Sequence, residues 1–131
     1  MTEKEFFVYT LEDELPRFER LLKAVPTENL DYKPDPKSKT AIELANLFLQ
    51  EARVLNVILE TGKIDFAEVE KSTSTSPVDI ATGFVEEMVK LKSASIAYTE
   101  EAWDSGAQML YKGHVEWEVS RGKMVFSLLL D

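Results

Sequence analysis

The sequence predicts an all-α fold: a four-helix bundle of up-down-up-down topology, with a short β-hairpin-like insert before the last helix. Two patterns lead to this prediction. Three long segments repeat apolar residues at spacings of three and four, which is typical of helices with one buried face. A shorter segment near residues 109–119 alternates with period two instead, as one face of a hairpin does. The chain has 131 residues, so we expect a single domain covering 1–131.

The first helix is predicted over residues 3–25. Its apolar stripe comprises Phe7, Leu11, Leu15, Phe18, Leu22 and Val25. Pro16 lies inside this stripe, and a proline both removes one helical hydrogen bond and clashes with the preceding turn. We therefore expect a kink or a break at Pro16. The prolines of residues 26–39 predict a loop, with Leu30 and Tyr32 as its apolar anchors.

The second helix, over residues 40–61, has the clearest start and stop. Thr40 followed by Glu43 is the capping-box pattern, in which each side chain binds a free backbone N–H of the other residue. The apolar stripe comprises Ala41, Leu44, Ala45, Phe48, Ala52, Leu55 and Leu59. Gly62 follows, and glycine commonly ends a helix because it tolerates the left-handed conformation.

The third helix is predicted over residues 77–100, after a connection at 62–76. Ser76 is the predicted N-cap, and Pro77 stands at the first helical position, where its missing N–H costs nothing. Within the connection, we expect a short helical turn at residues 64–69.

The hairpin is predicted around Lys112-Gly113, with Val115, Trp117 and Val119 on one face. A last helix is predicted after Ser120. It ends in three leucines and an acid, without a capping glycine or a basic last turn. We therefore expect a truncated last helix, with either further residues beyond Asp131 or a partner chain over this end.

Composition narrows the class of function. The chain carries 24 acidic against 15 basic residues, a net charge of −9. Nucleic-acid binding depends on neutralising phosphates, so we expect no nucleic-acid partner. No apolar run approaches the roughly 20 residues of a membrane span, so we expect no membrane partner. The sequence has no cysteine, which excludes disulfides and thiolate sites. With no recognisable secretion signal, we expect a cytoplasmic protein.

Two stretches, LDYKPDPKSKTAIELANLFLQEA at 30–52 and HVEWEVSRGKMVFSLLLD at 114–131, resemble the DinB/YfiT superfamily of putative metalloenzymes. The resemblance covers essentially the whole chain and implies a four-helix bundle with a three-histidine metal site. In that family one histidine comes from the second helix and an i, i+4 pair from the last. Carried over, the first ligand position falls at Leu47 and the pair falls just past Asp131. This sequence therefore lacks all three ligands.

Leu47 has two interpretations. It is either a core residue of the bundle, as leucine is by default, or the floor of an apolar pocket with Glu51 and Trp117 as neighbours. A one-residue slip in the alignment would offer Asn46, a weak metal ligand.

His114, Glu116 and Glu118 are weak metal candidates because alternate strand residues share a face. Their Cβ atoms would lie about 6–7 Å apart, which is wide for one ion. The competing interpretation is a solvated strand face. No catalytic residue is predicted.

The sequence leads us to expect a DinB-like protein without a metal centre. It would act as a binding or scaffold module, with a small-molecule ligand, no cofactor, and a homodimer formed through exposed apolar helix faces. The alternative is a shortened member of a metal-dependent hydrolase or thiol-transferase family whose C-terminal histidine pair is missing. Only that alternative would use a divalent metal, nickel or zinc.

Overall fold

The computed structural model describes residues 1–25, 33, 35–37 and 39–130. Within these ranges it contains five helices and three strands. These are α1 (Glu3–Lys23), α2 (Ala41–Thr61), β1 (Lys63–Asp65), α3 (Pro77–Ala97), α4 (Glu100–Trp103), β2 (Gly106–Tyr111), β3 (His114–Ser120) and α5 (Arg121–Leu130). The all-α prediction is wrong, because the strands form a mixed sheet. The predicted loop anchors Leu30 and Tyr32 lie outside the described residues.

Helix α1 continues through Pro16 without a break, so the predicted break is wrong. Proline cannot donate to the carbonyl of Glu12, four residues earlier. Both residues are exposed on the outer surface, where water can satisfy that carbonyl. At the start of the helix, the Thr2 hydroxyl accepts a hydrogen bond from the Glu5 N–H at 3.1 Å, which caps the first turn.

The capping box of α2 is confirmed. The Thr40 hydroxyl accepts from the Glu43 N–H at 3.2 Å, and the Glu43 carboxylate accepts from the Thr40 N–H at 3.4 Å. The hydrogen bond from the Thr40 side chain is the main cause that lowers the pKa of Glu43 below 4.5. Gly62 ends the helix with a φ of 73°, the left-handed conformation that the sequence predicts there.

Helix α1 runs antiparallel to α3. Near the start of α1, the Lys4 ammonium donates to the Tyr98 carbonyl at 2.6 Å, just past the end of α3. Towards the end of α1, the Phe18 ring lies 5.8 Å from the Phe84 ring, in the first half of α3. The start of α1 therefore meets the end of α3, and the end of α1 meets the first half of α3, so the two helices run in opposite directions.

Helix α2, in contrast, runs parallel to α3. Asn46, early in α2, donates to the Ser74 carbonyl just before α3 begins. Asn56, in the second half of α2, donates to the Glu87 carbonyl in the middle of α3. The predicted up-down-up-down topology is therefore wrong. Residues 62–76 carry the chain back along α2 before α3 starts, and such long crossovers are known from other bundles.

Helix α5 completes the bundle from the end where α2 stops. The Arg121 guanidinium, in its first turn, donates to the Leu59 carbonyl at 2.9 Å. One turn further on, the Phe126 ring lies 5.4 Å from the Phe7 ring of α1. Helix α5 therefore packs against the last half of α2 and the first half of α1, and it has only 10 residues.

The sheet has the order β1-β2-β3, with β1 parallel to β2 and β2 antiparallel to β3. The predicted hairpin turn is confirmed, because Lys112 and Gly113 have φ values of 51° and 83°, as a type I′ turn requires. Strand β1 replaces the helical turn predicted at 64–69. It forms because Ile64 pairs with Met109, 45 residues further along the chain.

One hydrophobic core joins the helices and the sheet. It includes Phe7 of α1, Leu55 of α2, Leu91 of α3, Trp103 of α4 and Ala107 of β2, each at most 1% exposed. The sheet covers the end of the bundle where α2 and α3 finish. No helix in the described ranges is long and apolar enough to cross a membrane.

Candidate functional site

An open groove lies between α2 and the sheet. The second half of α2 forms one wall, β1 and the β2–β3 turn form the base, and residues 68–70 of the crossover form the second wall. Its volume is about 940 Å³. The lining residues are Gln50, Arg53, Val54, Val57, Thr61, Lys63, Ile64, Asp65, Glu68, Val69, Glu70, Leu110 and Gly113.

The floor of the groove is apolar. Val54 and Leu110 line it and are 4% and 5% exposed. Ile64 also borders the groove, but it pairs with Met109 and therefore points to the core face of the sheet. Leu110 is buried yet lies outside the core cluster of the bundle, because it points to the face of the sheet opposite its neighbour Met109. Val57, which is 39% exposed, stands at the mouth. Because the floor residues are already buried, Val57 offers the exposed apolar surface that a ligand in the groove would meet.

The rim of the groove is charged, with the two signs on different elements. Arg53 of α2 and Lys63 of β1 supply positive charge, and Glu68 and Glu70 of the crossover supply negative charge. All four side chains are exposed. In the described part of the chain, none of them forms an ion pair. The rim charges therefore remain available to a ligand.

Asp65 anchors the crossover wall at the end of β1. Its carboxylate accepts hydrogen bonds from the backbone N–H groups of Ala67, Lys112 and Gly113, at 3.0, 3.1 and 2.9 Å. The Gly113 hydrogen bond is the largest cause that lowers the pKa of Asp65 below 3.8. One side chain thus holds the start of the crossover and the hairpin turn together.

Asn46 anchors the other end of the same wall. Its side-chain oxygen accepts from the Ser72 hydroxyl at 2.6 Å and from the Ser74 N–H at 3.1 Å, and its amide nitrogen donates to the Ser74 carbonyl at 2.8 Å. Gln50 accepts from the Ser72 N–H at 3.3 Å. With both ends held, the groove is formed before any ligand binds, which lowers the entropic cost of binding.

The predicted pocket residues lie elsewhere. Leu47 is 39% exposed on α2, so the core interpretation is wrong, and it is not part of the groove lining. Its side chain has no donor atom and does not fit a metal. Glu51 is exposed on the same helix, and Trp117 is half-buried on β3 opposite Met109. The structure does not bring Leu47, Glu51 and Trp117 together around this groove.

A β-bulge separates the three weak metal candidates. Val115 pairs with Leu110 and Trp117 with Met109, so the residue between them, Glu116, is extra and shifts the alternation by one.

Residues directly opposite each other in a sheet share a face. His114 pairs with Tyr111, and Glu118 pairs with Gln108, which donates to it at 2.8 Å. Because Tyr111 and Gln108 are three residues apart on β2, His114 and Glu118 point to opposite faces. Among the described residues, no group of three or more His, Cys, Asp or Glu could hold a metal.

The sequence patterns described above do not predict the groove, although the spacing of residues on α2 is consistent with one of its walls. Leu47, Gln50, Val54, Val57 and Thr61 follow one another at spacings of three and four. They form a second, mixed face beside the predicted apolar stripe. Leu110 and Ile64 carry no such signal, because the pairing of distant strands decides where they point.

No protein-family model, curated protein or solved structure matches the chain. The functional proposal therefore depends on the residues that line the groove. Its apolar floor can take apolar ligand surface out of water, and its charged rim can orient polar ends of the ligand.

Proposed function

We propose that this chain is a metal-free binding module of the DinB/YfiT-like kind, which holds a small molecule with an apolar body in the groove between α2 and the sheet. The apolar floor of Val54 and Leu110, with Val57 at the mouth, beneath an unpaired charged rim carries this proposal. Ligand sites are commonly concave, apolar at the base and about 300–1,000 Å³ in volume. The groove, at about 940 Å³, falls in this range.

The DinB/YfiT-like part of the proposal rests on the resemblance of residues 30–52 and 114–131 to that family. The metal-free part is supported by Leu47, which supplies no ligand atom at the position where the family's first histidine falls. The rival function, a metal-dependent hydrolase or thiol transferase, needs a donor at that position.

A fragment-binding experiment tests the proposal. Small apolar fragments should shift the NMR amide signals of Val54, Ile64 and Leu110. The Val57→Asp variant places a charge at the mouth and should weaken this binding about tenfold, since one lost apolar contact of this size is worth about 1.5 kcal/mol. Val89→Asp changes an exposed valine of α3 outside the groove lining and should leave fragment binding unchanged.

Three results would contradict the proposal. The groove is not the binding site if no fragment shifts the NMR amide signals of its residues, or if Val89→Asp weakens fragment binding as much as Val57→Asp does. Metal analysis of the purified protein addresses the other part. Stoichiometric nickel or zinc would overturn the metal-free function and favour the enzyme.

The proposed module is a homodimer formed through exposed apolar helix faces. The aromatic patch on the outside of α1 and α5 supports this. It consists of Phe6, Tyr9 and Phe126, with Phe6 stacked on Tyr9 at 6.4 Å and on Phe126 at 5.6 Å. Phe6 and Tyr9 are 48% and 57% exposed. Aromatic residues are enriched at the centres of protein interfaces.

A further inference from the structure

We infer that the ligand of the groove is a zwitterionic amphiphile, a molecule whose apolar body carries a carboxylate at one end and an ammonium group at the other. This inference rests on the proposed function, because it concerns the same groove. It follows from where the rim charges stand relative to the apolar floor.

The positive side of the rim lies on α2 and β1. Arg53 directly precedes the floor residue Val54 and lines the groove. Lys63 pairs with Gln108, two residues from Leu110 on β2, so Lys63 and the floor residue Leu110 point to the same face of the sheet. A guanidinium offers paired N–H donors that match the two oxygens of a carboxylate. Arg53, with Lys63 adding positive charge further along the wall, therefore forms the carboxylate-binding end of the groove.

The negative side of the rim lies on the crossover. Glu68 and Glu70 flank Val69, whose half-buried side chain packs against the core. The third acid of the lining, Asp65, is already occupied by three backbone N–H groups. Glu68 and Glu70 are therefore the carboxylates left to receive an ammonium group.

The two sides do not neutralise each other. No nitrogen of Arg53 or Lys63 lies within the 4.0 Å of a Glu68 or Glu70 oxygen that would define an ion pair. A ligand with a single negative charge would be attracted by Arg53 and repelled by Glu68 and Glu70. A ligand with a single positive charge would be attracted by Glu68 and Glu70 and repelled by Arg53. Only a ligand carrying both charges is favoured at both walls, and this difference gives specificity.

Three linear probes of equal carbon number test the inference: 8-aminooctanoate, octanoate and octylammonium. Their affinities are measured by NMR titration at low ionic strength, where screening is weakest. We expect 8-aminooctanoate to bind about threefold tighter than either of the others, since exposed ion pairs contribute up to about 1 kcal/mol each. Added salt should remove this advantage.

Charge-removing variants then assign each end of the probe. Arg53→Gln should weaken 8-aminooctanoate and octanoate about threefold and leave octylammonium unweakened. The double variant Glu68→Gln, Glu70→Gln should weaken 8-aminooctanoate and octylammonium and leave octanoate unweakened. The controls are Arg20→Gln on α1 and Glu86→Gln on α3, two exposed charges outside the groove lining.

The outcomes separate this inference from the proposed function. The inference is overturned if 8-aminooctanoate fails to bind tighter than each of the two singly charged probes. It is also overturned if Arg53→Gln leaves the affinity for 8-aminooctanoate unchanged. In either case the proposed function stands as long as octanoate or apolar fragments still shift the groove amides and Val57→Asp weakens their binding. If no probe and no fragment shifts those amides, both fail.

Discussion

At the scale of single residues, Asp65 shows how one side chain can join distant parts of a chain. It ends β1, yet two of its three hydrogen-bond donors, Lys112 and Gly113, belong to the β2–β3 turn. Gly113 has a φ of 83°, a conformation that glycine adopts without strain, and its N–H donates to Asp65. The geometry of the groove base therefore depends on one carboxylate.

Asp65 should make stability depend on acid pH. Hydrogen bonds to the charged form lower its folded pKa below the ordinary value of 3.8. Its contribution is therefore complete above that ordinary pKa and is lost as the pH falls through the lowered folded pKa. We expect Asp65→Asn to be less stable than the wild type at pH 7 and to show a weaker loss of stability on acidification.

Urea unfolding followed by circular dichroism from about pH 6 to pH 2 measures this difference. Asp104→Asn, a change at an exposed aspartate at the end of α4, controls for the loss of one negative charge. Parallel pH profiles for the wild type and Asp65→Asn would show that the carboxylate does not hold the turn.

At the scale of elements, the crossover at residues 62–76 decides the topology. It returns the chain along α2, so that α3 starts beside Asn46 and runs parallel to α2. The bonds from Asn46 to Ser72 and Ser74 fix this path, because Asn46 is 8% exposed and its amide needs partners inside the protein. The same bonds position the crossover wall of the groove.

Asn46→Ala should loosen the crossover. Removing its side chain leaves the Ser74 N–H and carbonyl without their partner, so we expect a loss of about 1–3 kcal/mol in the free energy of unfolding. Amide hydrogen exchange at residues 72–75 should become faster. Asn56→Ala is the matched control, because Asn56 is 6% exposed and bonds Glu87 of α3 instead.

Urea unfolding and hydrogen exchange measured by mass spectrometry give the two readouts. Asn56→Ala should lower stability by a similar amount without a selective change at residues 72–75. If Asn46→Ala changes exchange at those residues no more than Asn56→Ala does, Asn46 is not the anchor of the crossover.

At the scale of the whole molecule, the first helix and the last two helices depend on one another. Trp103 of α4 is fully buried against Phe7, with their ring centres 5.1 Å apart. Its indole N–H donates to Glu3 at 3.2 Å. Gly122 of α5 makes room for the indole, since a Cβ there would overlap the Trp103 ring. The start of the chain, α4 and α5 therefore pack as one unit.

The aromatic patch of Phe6, Tyr9 and Phe126 is the predicted homodimer surface. Phe6→Gln with Tyr9→Gln should shift the protein from dimer to monomer, because it removes the exposed part of the patch. Leu21→Gln is the control, since Leu21 lies at the other end of α1 and is 57% exposed, as Tyr9 is.

Light scattering coupled to size exclusion, over a range of concentrations, measures the mass. A monomeric wild type at all concentrations would refute the homodimer. If Leu21→Gln weakens the dimer as much as Phe6→Gln with Tyr9→Gln does, the aromatic patch is not the interface.

Much of the fold could be predicted where the deciding contacts are local. The Thr40 capping box, the end of α2 at Gly62 and the start of α3 at Ser76-Pro77 rest on bonds between residues at most four apart. The Lys112-Gly113 turn could be predicted because glycine favours the left-handed conformation that such a turn needs. The candidate site could not be predicted in the same way. Only the mixed face of α2, with Val54 and Val57, leaves a trace in the sequence.

The sequence alone determined the long helices, because the backbone groups at their ends find partners among near neighbours, and the hairpin turn, because glycine favours its left-handed conformation. Tertiary structure alone decided that β1 is a strand, that α3 runs parallel to α2, and that Glu116 forms a bulge. Those outcomes depend on pairing between residues such as Ile64 and Met109. These two residues are 45 positions apart, so no pattern among near neighbours predicts that they pair. The groove exists only where these distant pairings meet.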